Sequence, residues 1–572
     1  MATSYLSPGV YIEEVPSQIK SIAGVGTNTV GFIGIVEDEV QVPEYLDDDE
    51  YQRQVLAAFD KLYGSDDDYS DAKIKARVDE AAKAKEAAAK AAGDAEKAAK
   101  AASDEAAKAE KRKAVAAPDG STDAADVANA LAAAQAAAAA AQADLAQAKE
   151  KAQRASEAAQ ALEELSSKPE AERVRGVRAL KRDQARAMVA RYTLKPFQVE
   201  VPPGQAKLCT NFSEYQSRFG GWSAYDSSQL ALGSQGVVLS GHQVLSHAVF
   251  GFFNNGGGRA FVVRVRKDSL QDDLNLALAT LESVESIALV AFPGMSSDKS
   301  IAAALVAHCE LTKYRFAILD APQHPVDAQR RLDPELLNYD SGQSQLPARS
   351  KHAALYFPYI EVVDPALQLQ QAGIDSVPDK YKGLVHVPPS GAIAGVYART
   401  DVQRGVFKAP ANASVLGARN VQYYISRAMQ EGLNPQGVNC IRTLNGDITV
   451  WGARTLGGDE NNEWRYVSVR RTFLFLAKSI DAGTQWVVFE PNTPALWGAV
   501  RRNVTGFLTT VWRDGALFGT TPEEAFYVKC DAENNPLDSR EIGRLVIEVG
   551  VAIVRPAEFV IFRITQGTAR NA

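Results

Sequence analysis

Chemistry at a protein site needs particular residue types at particular spacings, and this sequence offers few. A phosphate cradle requires a glycine-rich loop between a strand and a helix, where backbone N–H groups meet the anion. Gly24-Val25-Gly26 and Gly256-Gly257-Gly258 are rich in glycine, but neither is followed by the Lys-Ser/Thr of a P-loop. Neither reads as a strand-to-helix junction, so both read as turns. A zinc-hydrolase pair places two histidines four apart on one helix. His242 and His247 stand five apart and are expected to be structural. Cys209, Cys309, Cys440 and Cys530 form no CxxC and have no histidine at metal spacing. They read as buried free thiols of a reducing compartment. No GxSxG elbow occurs. The paired acids Glu13-Glu14 and Asp47-Asp48-Asp49 fall in extended or linker sequence, where solvation is the default role. The expectation is no catalytic residue, no cofactor and no metal.

The totals point the same way. At 572 residues the chain is too long for one core, and 46% apolar with 23% charged residues is ordinary globular composition. A net charge of -8 without a basic stripe argues against a nucleic-acid partner. Met1 to Val15 lacks a secretory pattern, and even the apolar run Leu545 to Val554 is short and carries Glu548. Synthesis and assembly in the cytoplasm, without membrane insertion, is the expectation.

The elements break sharply in composition once. From about Asp66 to Leu165 the chain is Ala, Lys, Glu, Asp and Gln, strong helix formers with almost no aromatic residues. Ala117 to Thr122 reads as a turn between two helices of about 45 residues, each roughly 65–70 Å long. A third amphipathic piece spans Ala171 to Tyr192. The apolar face of the hairpin is nearly all alanine, so little area is available to hold it together.

On either side the texture is globular. Val30 to Val36 is a buried-strand candidate. Helices are expected at Asn211 to Phe219, Gly241 to Phe253, Leu270 to Leu281 and Ile301 to Thr312. They alternate with strands at Arg259 to Val265, Ser286 to Phe292 and Arg315 to Asp320. That alternation predicts an α/β domain with a largely parallel sheet, into which the Ala-rich segment is inserted after the first strand. The C-terminal part reads as a smaller α+β domain. Asn445-Gly446 signals a hairpin within Asn439 to Val450; Val467 to Ala477 and Thr493 to Arg513 read as helices, and Arg544 to Val554 and Glu558 to Thr565 as strands.

Two segments lack partners. Val10-Tyr11-Ile12-Glu13-Glu14-Val15 has strand composition but is set apart by Pro16 and a polar linker. Phe559-Val560-Ile561-Phe562-Arg563-Ile564 poses the same question. An isolated strand cannot satisfy its backbone, so each must pair with its own domain's edge or with a neighbouring subunit.

At these residues the sequence resembles the tail-sheath family of contractile phage tails and phage-derived injection systems. Tyr5 to Pro16 and Ile22 to Thr27 are similar to its N-terminal signature. Gly437-Val438-Asn439, Val450 to Thr455, Val469-Arg470-Arg471, Trp486 to Asn492, and Trp497 with Arg501-Arg502 are similar to its C-terminal domain. The resemblance implies a structural subunit, not an enzyme, that polymerises with itself in a six-fold helical lattice around an inner tube protein. Baseplate and cap proteins would meet its ends. Val10, Tyr11, Ile12, Glu13 and Val15 would form one inter-subunit arm, and Phe559, Val560, Ile561, Phe562 and Ile564 the other. The tube-facing helix would carry either Arg470, Arg471 and Lys478, or Trp497, Arg501 and Arg502. The implied layout is an arm and linker at 1–22 and an α/β sheath domain at 23–43 and 197–432; the helical, coiled-coil-like insertion at 44–196 departs from the family pattern, and from its place in the α/β domain it is expected to project outward. A tube-facing domain at 433–555 and an arm at 556–572 complete the layout. Another tail or capsid subunit is the nearest alternative; a cytosolic enzyme without a recognisable motif is a more distant one.

Overall fold

The computed structural model describes residues 22–115, 122–232, 236–327, 331–372, 374, 376–460 and 462–561. The chain forms two compact units, one from residues up to Tyr45 together with Tyr192 onward, the other from Leu46–Arg191. The expected arm at Val10–Val15, the turn residues 117–121, and Phe562 and Ile564 lie outside the described residues.

The first unit carries strands β1 (Val30–Ile35), β2 (Glu39–Tyr45), β3 (Tyr192–Gln198) and β4 (Ala206–Cys209). Next come β5 (Ala260–Val265), β6 (Leu289–Ala291), β7 (Phe316–Asp320) and β8 (Ala353–Phe357). They are followed by β9 (Ile360–Val363), β10 (Leu384–Val387), β11 (Ala413–Ser414) and β12 (Asn420–Val421). The last four are β13 (Val438–Leu444), β14 (Asp447–Val450), β15 (Phe526–Lys529) and β16 (Glu548–Val551). Nine of these build one sheet in the order β11-β14-β13-β8-β7-β6-β1-β5-β4. Its centre, from β13 to β5, is parallel, and β4, β14 and β11 close the two sides antiparallel.

A parallel sheet covered on both faces needs strands apolar at every position, and β7 and β8 are buried along their whole length. Alternate side chains feed two cores. Phe32, Val262, Leu289, Ile318 and Tyr356 enter one; Ile33, Val263, Val290, Leu319 and Leu355 enter the other. The first core is roofed by the helices Gly241–Asn254 and Ser390–Arg404, the second by Leu270–Glu282 and Lys299–Thr312. The roof helices meet backbone to backbone through glycine. A Cβ on Gly391 would lie 2.3 Å from the Ala248 Cα, and one on Gly395 2.4 Å from the Phe252 carbonyl oxygen.

Asn445 and Gly446 turn the β13–β14 hairpin with φ of 53° and 90°, as the hairpin signal requires. The hairpin was expected in the smaller C-terminal domain. It instead extends the large sheet, because Val438, Cys440 and Ile441 are apolar enough to join that core. A third core gathers residues beyond it: Leu476 of the helix Val467–Thr484, Val500, Val504 and Leu508 of Pro494–Arg513, and Phe526 of β15, with Ile22 from the N-terminal side.

The second unit holds the helices Asp48–Tyr63, Asp71–Val115, Thr122–Ser166 and Glu170–Met188. The two long ones are 45 residues each. Their lengths follow from the Ala/Lys/Glu run; the shorter Asp48–Tyr63 and the β2–β3 ribbon gave no clear signal in sequence. Along the long pair only Ile74, Ala99 and Leu131 are buried apolar residues among those described. Tyr63, Tyr69, Ile74 and Val177 form a small base cluster. There Arg173 donates to the carbonyls of Tyr69, Leu165 and Lys168 and to the Asp71 carboxylate, tying the start of one long helix to the end of the other.

Candidate assembly site

The chain leading into β1 lies along the helix Val467–Thr484. Gly24 has no room for a side chain, since a Cβ would lie 2.9 Å from the Phe475 ring. The Val25 amide donates to Ser479 Oγ at 3.1 Å. Two residues on, Thr27 donates through Oγ1 to Asp401 at 2.6 Å and accepts at its carbonyl from Arg471 at 3.0 Å. Arg471 closes the knot with two bonds to Asp401, 2.9 and 2.6 Å, both side chains being about 95% enclosed. Burial works against the guanidinium charge, yet Asp401 outweighs it and holds the Arg471 pKa above its ordinary value. The glycine pair expected as a turn is thus the root of the N-terminal segment.

The C-terminal segment is rooted beside it. After β16, Ala552 and Val554 pair along Ala516–Phe518, and the chain then runs to Glu558. Glu558 accepts two bonds from Arg454 at 2.8 Å each, one from Asn434 at 2.8 Å and one from the Tyr466 hydroxyl at 3.0 Å. Burial pushes this carboxyl up, but those donors win and hold it below the usual range. Phe559, Val560 and Ile561 then stand 70%, 69% and 79% exposed, with no strand assigned to them. The adjacent groove, of about 1210 Å³, is bordered by Arg404, Lys408, Arg442 and Trp451.

The ribbon β15–β16 has only two strands, and among the described residues no third strand pairs with either edge. A strand edge without a partner strand is the kind of edge to which extended chain can add.

The other expected residues fall in different places. Arg470 and Arg471, expected as candidates on a tube-facing helix, are buried. Arg470 donates to His352 Nε2 at 2.6 Å and stacks on Trp464 and Phe473. Burial, and then Arg470, push the His352 pKa down to about 4, which keeps that ring neutral and able to accept. Their helix turns this face into its own chain because the partners Asp401 and His352 lie there. Lys478 reaches the Glu285 carbonyl, and Trp497 is enclosed with its indole N–H on Asn492 at 2.7 Å. Arg501 and Arg502, on the helix Pro494–Arg513, are exposed. His242 and His247 are bonded inside the body, to the Phe219 carbonyl and to Asp364, both at 2.7 Å. All four cysteines are buried and free.

Sequence reasoning missed Asp401, Glu558 and Asp320. Asp320 is wholly enclosed at the end of β7, where burial raises its pKa to about 6 while Gly294, Ser296 and Ser390 donate to it. An arginine in an otherwise apolar motif, such as Arg454 or Arg471, was the available signal that a buried carboxylate must exist elsewhere in the chain.

Comparison with known proteins bears on the same regions. Residues 270–456 match the phage tail sheath protein central domain, and 459–567 the phage tail sheath C-terminal domain. The tail sheath protein of Burkholderia phage BcepMu is 24% identical over 38% of this chain and 43% of its own length. A putative prophage major tail sheath protein of Pseudomonas aeruginosa is 23% identical over 48% of this chain and 64% of its own. The chain therefore spans 43% to 64% of the length of these curated relatives. A chain of the anti-feeding prophage baseplate superposes with a TM-score of 0.51 and 29% identity, covering 65% of this chain and 90% of that one. A chain of the PVC extracellular contractile injection system, sheath complex in the contracted state, gives 0.50 and 26%, covering 64% and 88%. With both family domains matched in order along the body, the chain belongs to the phage tail sheath protein family.

Proposed function

We propose that this protein is the subunit of a contractile sheath, polymerising helically around an inner tube and shortening to drive that tube into a target envelope. The observation that carries the reading is the two-stranded ribbon β15–β16, to which no third strand is added among the described residues, close in sequence to the exposed Phe559–Ile561. In this reading Val10–Val15 and Phe559–Ile564 add to the ribbons of neighbouring copies. Backbone pairing contributes only about 0.5–1.5 kcal/mol net per bond, but several bonds per arm over many subunits make a durable mesh. Contacts of this head-to-tail kind do not close, so a filament grows.

Shortening is then a change between two packings of rigid bodies while the strands stay paired. The exposed pair Arg501 and Arg502 favours Pro494–Arg513 over Val467–Thr484 as the tube-facing helix, since the arginines of the latter are spent internally. Baseplate and cap proteins are the expected partners at the filament ends.

The test is co-expression with the tube protein followed by sedimentation and negative-stain microscopy. Long filaments are expected from the full chain. Deleting residues 1–15 should leave a folded protein that builds no contractile sheath; normal sheaths from that deletion would sink the arm reading.

A further inference from the structure

The two terminal roots converge on one short stretch of one helix. Tyr466, which holds Glu558 through its hydroxyl, is the N-cap residue of Val467–Thr484. Arg471, which holds Thr27 and Asp401, lies in the second turn of that helix. Arg454, the main partner of Glu558, forms an isolated β-bridge with Tyr466, and the next amide, that of Val467, donates to the Ala453 carbonyl. The path from one root to the other therefore runs through Glu558, the Arg454–Tyr466 bridge, one helical turn in which the Arg470 amide bonds the Tyr466 carbonyl, and Arg471.

We infer that Tyr466–Arg471 is a mechanical junction that couples the seating of the C-terminal segment to the seating of the N-terminal one. Glu558 and Asp401 act in it as positioning residues. The physical reason is that neither clamp tolerates half a partner. Arg454 and Arg471 have side chains only 4% exposed, so releasing Glu558 leaves Arg454 with Asp459 as its remaining carboxylate. The cheapest response is for the Arg454–Tyr466 bridge to open toward water, and that unseats the first turn on which Arg471 is placed. A helix turn transmits such a shift because its hydrogen bonds shorten or lengthen little, whereas a loop would absorb it. If the terminal segments are the exchanging arms proposed above, a load arriving on one arm would reach the other across this turn, bypassing the large sheet. That consequence rests on the sheath reading; the coupling itself does not.

The test is hydrogen exchange on the soluble protomer. Two amides report on the roots: Val25, bonded to Ser479, and Val554, bonded to the Ala516 carbonyl. Tyr466→Phe and Glu558→Gln are expected to speed exchange at Val25 about five-fold or more, although neither residue bonds the N-terminal segment. By reciprocity, Asp401→Asn should speed exchange at Val554 by a similar factor. Amides of β6 and β7 serve as the internal standard, and their unchanged rates separate coupling from general loosening. Tyr466→Phe removes one oxygen and should fold even if Glu558→Gln does not. Unchanged exchange at Val25 in Tyr466→Phe, with faster exchange at Val554 only, would overturn the junction. Failure of the protein to form filaments would instead count against the sheath reading and leave this result standing.

Discussion

The body and the insertion are both helix-rich, yet they are held together by different means. The body encloses Phe32, Ile33, Leu245, Phe252, Leu319 and Tyr356 completely, and its helices cross where Gly391 and Gly395 admit backbone contact. The hairpin Asp71–Val115 and Thr122–Ser166 has alanine at most facing positions, and a buried alanine contributes little more than one methyl group, roughly 0.8 kcal/mol. Its order comes from helix propensity along its length and from a polar knot at its base. One region is cohesive through area, the other through local backbone preference. Perturbations should therefore separate them.

Acid should separate them most. All six histidines lie outside residues 46–191. Burial pushes His242, His308 and His352 down to about 4, helped at His308 by Arg315 and at His352 by Arg470. A depressed histidine contributes stability that is complete above its ordinary value near 6.5 and is lost as pH falls toward 4. Asp320 works in the opposite direction, because a carboxyl raised to about 6 favours the fold once protonated. The three histidines outweigh this one carboxyl, so the body loses stability as pH falls from 7 to 4. Circular dichroism with tryptophan fluorescence should show tertiary signal lost while much of the helical signal persists. Simultaneous loss of both would erase the distinction.

Phe32→Ala should come next, costing the body about 3–5 kcal/mol in urea unfolding, since the ring is fully enclosed and meets Phe252 edge-on at 5.7 Å. Amide exchange within the hairpin should not change. A cost below 1 kcal/mol would mean that enclosed area is not what holds the sheet.

Arg173→Met addresses the base of the insertion. It removes one guanidinium that serves three carbonyls and Asp71, and a loss of about 2 kcal/mol is expected. The loss should be local, read as faster exchange around Tyr69–Ile74 and at the end of Thr122–Ser166. The melting of the body should stay where it was.

The same contrast governs what the sequence disclosed. The two helices of 45 residues were legible in the sequence, because composition alone sets a helix that owes little to packing. Strands such as β5 and β7 were legible because apolar runs of strand length alternated with helices. The β13–β14 hairpin was found, but its membership was not: local turn chemistry fixes Asn445-Gly446, whereas the choice of sheet depends on β8, eighty residues earlier. The acidic halves of the clamps were invisible for the same reason. Asp401 and Arg471, or Arg454 and Glu558, sit far apart in sequence, so even where an arginine in an apolar motif hints at a buried carboxylate, nothing local says which one. Arg470 and Arg471 were therefore expected on a surface that they do not reach.

The smallest expected effect is the sharpest check on how the insertion is built. Leu131 is the largest buried side chain of Thr122–Ser166 among those described, in a stretch where its neighbours are alanine and largely exposed. If the hairpin depended on a seam of area, Leu131→Ala would remove its main contribution and the two helices would part. If helix propensity is what orders it, alanine is at least as good a helix former, and the lost area of about 1.5 kcal/mol is offset by a few tenths. The expected outcome is a local loss of about 1 kcal/mol, read as exchange modestly faster near residue 131, together with unaltered helical signal. Loss of helical signal across the hairpin would show instead that this one leucine is its core, and the contrast with the body would become one of degree.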